Sequence, residues 1–149
     1  ARQGCKLVTV SNLFSRGKLN VEFTIDGNKE LWGVMFRFRL YNEHARALRV
    51  AKLLEGQNWT ELRKVFTPSL DKKLSTQKLT SDWNKHRKRV HRYRKSRVLY
   101  SGPYPWKFNT SPEVQMSYTN GFITVKPTFT WENQLESLYF KARQATQGK

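Results

Sequence analysis

The sequence predicts an α+β fold: an antiparallel sheet built from two β-hairpins, with three to four helices packed on its apolar face. Three observations carry this reading. Two pairs of segments alternate apolar and polar residues around turn residues, "LNVEFTI" with "LWGVMFRFRLY" and the two halves of "EVQMSYTNGFITVKPTF". "HARALRVAKLLEG" instead spaces its apolar residues at helical intervals. The 149 residues show no internal repeat and no linker, so residues 1–149 form a single domain. The apolar fraction is lean at 38%, but aromatics reach 13% with five Trp. Large rings offset the shortage, because each buries roughly 150–250 Å².

In chain order, "KLVTVSNLF" reads as a short strand from Lys6 to Ser11, ending in a turn at Ser15-Arg16-Gly17. Val21, Phe23 and Ile25 alternate along the next strand, and Trp32, Val34, Phe36, Phe38 and Leu40 along the one after. A two-residue turn at Asp26-Gly27 or Gly27-Asn28 joins them and sets both apolar series on one face. Period two then puts Arg37 and Arg39 on the opposite face.

Ala47, Leu48, Ala51 and Leu54 form the buried stripe of a helix that Gly56 stops, with Arg46, Arg49 and Lys52 around the remainder. A short second helix has Asn58 as N-cap, Glu61 in the capping-box position and Pro68 beyond its end. Its apolar set is Trp59, Leu62, Val65 and Phe66. "SLDKKLSTQKLT" shows no clear period and reads as a basic connection.

"SDWNKHRKRVHRYRKSRVLY" is expected to be a helix capped by Ser81, with Trp83, His86, Val90 and Tyr93 docked on the body. "SGPYPWKFNTSP" is a proline-aromatic loop. In the second hairpin a turn at Asn120-Gly121 pairs Tyr118 with Ile123 and Met116 with Val125. "TWENQLESLYFKARQA" reads as a closing helix. Thr130 caps it, Glu132 and Glu136 lie near its start, Lys141 and Arg143 near its end, and Leu135, Leu138, Tyr139 and Ala142 form its stripe.

Charge is the strongest functional signal. Twenty-eight Lys and Arg against eleven Asp and Glu give +17. Self-repulsion at that charge costs stability, which a bound polyanion relieves. Ser81 to Tyr100 alone holds eight Lys or Arg, and after Asp82 the next acid is Glu113. The expected partner is therefore nucleic acid, DNA or RNA, and not a membrane. No window approaches the roughly 20 apolar residues of a membrane span, and the opening residues contain no apolar signal core. The initial Ala points to a processed protein or a piece of a longer one. Cys5 is the single cysteine, which excludes an intrachain disulfide and suits an intracellular, cytoplasmic or nuclear setting.

The candidate phosphate-binding cations are Arg37 and Arg39 on the sheet, Arg46 and Arg49 on the first helix, and the run Lys85, Arg87, Lys88, Arg89, Arg92, Arg94, Lys95 and Arg97. Tyr104 and Trp106, in the proline loop, are candidates for stacking on bases. The run also fits a nuclear-localisation patch.

Catalytic material is sparse. His86 and His91 are five residues apart, roughly 140° around a helix, so they share no metal-binding face. The glycines are isolated and form neither a phosphate loop nor a dinucleotide fingerprint. The expectation is no catalytic residue, no metal and no cofactor. The alternative is a Mg²⁺-dependent DNA endonuclease or recombination factor with Glu22, Asp26 and Glu30 as ligands. A ribonucleoprotein structural component is a further alternative. The small size, the charge and the absence of a known nucleic-acid-binding pattern point to a viral or mobile-element origin. Strandedness and oligomeric state stay open.

Overall fold

The structure is a computed structural model that describes residues 6–13, 17–40, 42–103, 110–130 and 132–145, and leaves aside the side chains of residues 37–40, 100–103 and 110–111. Three strands come first, β1 (Lys6–Leu13), β2 (Gly17–Ile25) and β3 (Leu31–Leu40). Four helices follow, α1 (Glu43–Glu55), α2 (Trp59–Arg63), α3 (Pro68–Lys73) and α4 (Thr76–Arg87). The chain closes with β4 (Tyr93–Pro103), β5 (Thr110–Tyr118), β6 (Gly121–Phe129) and β7 (Leu135–Gln144). The strands form two antiparallel sheets, β1-β2-β3 and β4-β5-β6-β7. The class is α+β, and the two expected hairpins, β2–β3 and β5–β6, lie in separate sheets.

In the first sheet Val8, Phe23 and Val34 form one cross-strand row and Val10, Val21 and Phe36 the next, so the apolar series share a face as the alternation requires. The turn is longer than expected. The Asp26 carboxylate accepts the backbone N–H groups of Asn28 and Glu30, both at 2.9 Å, and the Trp32 indole N–H at 2.5 Å. These bonds favour a wider loop over a two-residue turn, and a bulge at Thr24/Ile25 absorbs the extra length. This face is left open among the described residues: Val10 and Phe36 are each 47% exposed.

The core lies between the second sheet and the helices. Val114, Met116, Ile123 and Val125 meet Leu54, Leu62, Leu79 and Trp83, all fully buried. α1 buries Ala47, Val50, Ala51 and Leu54, while Leu48, expected in the stripe, is exposed. Asn58 caps α2 by accepting the Glu61 N–H, as expected. α2 is shorter than its apolar set implied, because Val65 and Leu135 share a backbone hydrogen bond of 2.6 Å and Phe66 bridges to Leu135.

The basic connection after Pro68 is helical. Thr67 and Ser75 each accept the N–H three residues on, and Pro68 opens α3 rather than closing α2.

The expected helix from Ser81 is a second correction. Ser81 lies inside α4, which stops at Arg87, and Tyr93 onward is strand β4. Beyond Arg87 most helical i,i+4 neighbours would be another cation or a strand-forming side chain, whereas the backbone from Tyr93 finds an antiparallel partner in β5, interrupted by shifts at Tyr93/Lys95 and Val98/Tyr100.

The closing helix is a third correction, since Leu135–Gln144 is strand β7 paired along β6. Thr130 does use its hydroxyl to accept the Gln134 N–H, at 3.2 Å, but within a tight β6–β7 turn closed by Thr130 N–H to the Gln134 carbonyl at 2.8 Å. The expected turn at Asn120-Gly121 sits one residue earlier. Tyr118 pairs with Gly121, Met116 with Ile123 and Val114 with Val125, which keeps the same residues on the apolar face. Thr119 and Asn120 instead donate their backbone N–H groups to the Arg92 and Val90 carbonyls.

Candidate nucleic-acid interface

The expected cations fall in different parts of the molecule. Arg46 and Arg49 lie on the helical layer, with Arg49 3.8 Å from Glu61. Arg37 and Arg39 stand opposite Asn20 and Lys18 in the first sheet, and their side chains lie outside the described residues. Tyr104 and Trp106 lie outside them entirely.

The long basic run divides into three parts. Lys85 and Arg87 end α4, residues 88–92 form a turn, and Arg94, Lys95 and Arg97 belong to the edge strand β4. Arg87 differs from the rest. Its Nε lies 3.1 Å from Glu55 Oε2 and its Nη2 3.0 Å from Glu55 Oε1, and its guanidinium stacks 4.6 Å over the Tyr118 ring. It also donates to the His91 carbonyl. Tyr118 completes the cluster by donating to Glu55 Oε2 at 2.7 Å. Burial and the neighbouring Glu55 carboxylate push the Tyr118 phenol far above its ordinary range, so it stays a donor. Arg87 therefore holds α4, α1 and β5 together. Among the described residues no ion pair joins Lys85, Lys88, Arg89, Arg92, Arg94 or Lys95 to an acid.

The basic turn is fixed to the end of the second sheet. The Arg89 carbonyl accepts the Gln144 side-chain amide at 3.1 Å, and the Arg92 and Val90 carbonyls accept from Thr119 and Asn120. His86 ties α4 to β7, since its Nδ1 accepts the Ala142 N–H at 3.2 Å. Burial first, then the charges of Arg89, Lys85 and Lys141, hold the His86 pKa below its ordinary value, so the imidazole is the neutral acceptor this bond needs.

From that turn the cations continue onto the sheet face opposite the helices. Lys95 stands in register with Ser117, Phe122 and Arg143. The next row is Arg97, Gln115, Thr124 and Lys141. The third carries Glu113, Lys126 and Tyr139, with Glu113 and Lys126 3.5 Å apart. A shallow groove of about 320 Å³ runs over this surface. Tyr139 is 52% exposed in it.

Phe122, Lys126, Tyr139, Lys141 and Arg143 were not among the sequence candidates. The signal that could have found the last three is the alternation Leu138, Phe140, Ala142 inward against Tyr139, Lys141, Arg143 outward, hidden by an equally good helical reading, while Phe122 and Lys126 lie on the outward face of a strand that the sequence already shows. Among the described residues no group of three His, Cys, Asp or Glu is placed to hold a metal ion. Glu22 stands mid-strand opposite Thr9 and Met35, while Asp26 and Glu30 build the β2–β3 turn. The Trp32 indole, the Glu30 N–H and the Asn28 N–H hold the Asp26 carboxyl below its usual range. No helix among the described residues is long and apolar enough to cross a membrane. No known protein family, characterised relative or solved structure matches this chain.

Proposed function

We propose that this protein binds nucleic acid through a basic strip that runs from the residue 88–92 turn onto the open face of the four-stranded sheet. The observation that carries the reading is continuity. Arg89 and Arg92 in the turn adjoin the row that holds Lys95 and Arg143, and Lys141 and Arg97 follow in the next. In a chain of net charge +17, such a strip concentrates positive potential where a phosphate backbone can lie along it. Arg87 is excluded from the binding set because Glu55 and Tyr118 engage it.

The test is an anisotropy titration of labelled DNA and RNA, single- and double-stranded, with EDTA or with Mg²⁺, followed by a denaturing gel. Binding that is unchanged by EDTA and leaves strands intact supports the reading. Strand cleavage that requires Mg²⁺ replaces it with the nuclease.

A further inference from the structure

Resting on that reading, we infer that the open face of the four-stranded sheet takes single-stranded nucleic acid, with bases stacked on Phe122 and Tyr139 and phosphates held by the cations around them. The register separates the two rings. Phe122 is opposite Arg143 on β7, and Tyr139 is opposite Lys126 on β6, four residues further along that strand. At about 3.4 Å per residue, they stand about 14 Å apart along the sheet. The row between them has no ring and consists of Arg97, Gln115, Thr124 and Lys141.

Aromatic rows thus flank a row of cations and hydrogen-bonding groups. Tyr139 is 52% exposed and Phe122 is half-buried. Such rings gain by stacking only on bases whose faces are free, and a duplex hides those faces. Gln115 and Thr124 can bond to base edges. Arg97 directs its Nε and Nη2 to Gln115 Oε1, at 3.1 and 3.0 Å, which holds the guanidinium over the sheet. Charge complementarity selects the occupant, since five cations on these rows face a single acid, Glu113, which Lys126 neutralises. Stacking does not distinguish DNA from RNA, because every base has a π-face.

The experiment uses the full chain with labelled DNA and RNA 12-mers, each alone and annealed to its complement, at one salt concentration. Single strands of at least one sugar type should bind tighter than duplex. Tyr139→Ala should weaken the single-strand complex roughly 5- to 100-fold while Tyr139→Phe retains it. Duplex binding should change little in either variant. As a check that needs no substitution, photo-crosslinking of the wild-type chain to a bromouracil-substituted strand should mark the peptides carrying Phe122 and Tyr139. Equal binding of single and double strands, unaffected by Tyr139→Ala and with crosslinks confined to residues 88–92, overturns the platform but keeps the nucleic-acid reading. Polyglutamate binding as tightly as any oligonucleotide overturns both.

Discussion

Arg87 and Glu55, thirty-two residues apart in sequence, are joined by two charge-assisted hydrogen bonds of 3.1 and 3.0 Å at the junction of α4, α1 and β5. One member of a basic run is thereby set apart from its neighbours. Both side chains are largely shielded, at 27% and 21% exposure, and Glu55 also accepts from Tyr118. Arg87→Gln should therefore lower stability by about 2–3 kcal/mol, because it leaves the Glu55 carboxylate short of its partner. Arg89→Gln and Arg92→Gln should stay within about 0.5 kcal/mol of wild type. Urea denaturation of the three variants checks this. Equal losses at all three positions would mean that Arg87 has no special structural role.

Trp83 gives a second prediction. It is fully buried and meets Phe140 edge-on at 5.4 Å, while its indole N–H has no hydrogen-bond partner among the described residues. Trp83→Ala should cost about 3–5 kcal/mol through the cavity it opens. Trp83→Phe should cost much less, since no hydrogen bond is lost with the indole. Thermal melts of both variants decide it, and similar losses would imply a polar role for the indole.

Two glycines should respond in opposite ways. Gly121 has φ of 141° and packs so closely on β7 that a Cβ would strike the Arg143 carbonyl oxygen. Gly121→Ala should destabilise by about 1–3 kcal/mol or more and loosen the β6–β7 pairing. At Gly27 an added methyl would meet no atom of the described residues within 4 Å beyond its chain neighbours, and the backbone φ there is not positive. Gly27→Ala should therefore be neutral or stabilise by about 0.4–1 kcal/mol. Chemical denaturation of the pair is the measurement.

His86 makes stability depend on pH. Its folded-state pKa lies below the ordinary 6.5 through burial and the charges of Arg89, Lys85 and Lys141, against the opposing charge of Asp82. The unfolded chain therefore binds the proton first. The contribution of His86 is present above about pH 6.5 and is lost as pH falls through the lower folded-state value. Protonation also removes the acceptor for the Ala142 N–H. Melting temperatures from pH about 7.5 down to about 5 should fall more steeply for wild type than for His86→Gln. Parallel curves would assign the pH dependence to other groups.

The extent to which the fold was legible depended on whether a segment's local period and its tertiary partner agreed. At α1 and in the β5–β6 hairpin they agree. Ala47, Ala51 and Leu54 fit only a helix, and Met116, Tyr118, Ile123 and Val125 fit only a two-sided strand pair. In "LESLYFKAR" they conflict. Leu135, Leu138, Tyr139 and Ala142 satisfy a helical stripe and Thr130 offers a cap, yet pairing with β6 places Tyr139 and Ala142 on opposite faces. Only the long-range register decides between them. The same conflict hid half of the candidate site, because Lys141 and Arg143 looked like helix-dipole partners. The basic run was legible as a charge signal. The role of Arg87 within it was not, since its partner Glu55 lies on another helix and carries no local mark.

The most direct test of the central claim is the salt dependence of single-strand binding, measured between about 50 and 200 mM salt for wild type and for a variant with Arg92, Arg97, Lys141 and Arg143 changed to Gln. Log affinity should fall linearly with log salt, and each lost phosphate contact should flatten the slope by about 0.7. A wild-type chain that fails to bind at the lowest salt, or a variant with unchanged affinity and slope, would contradict the account.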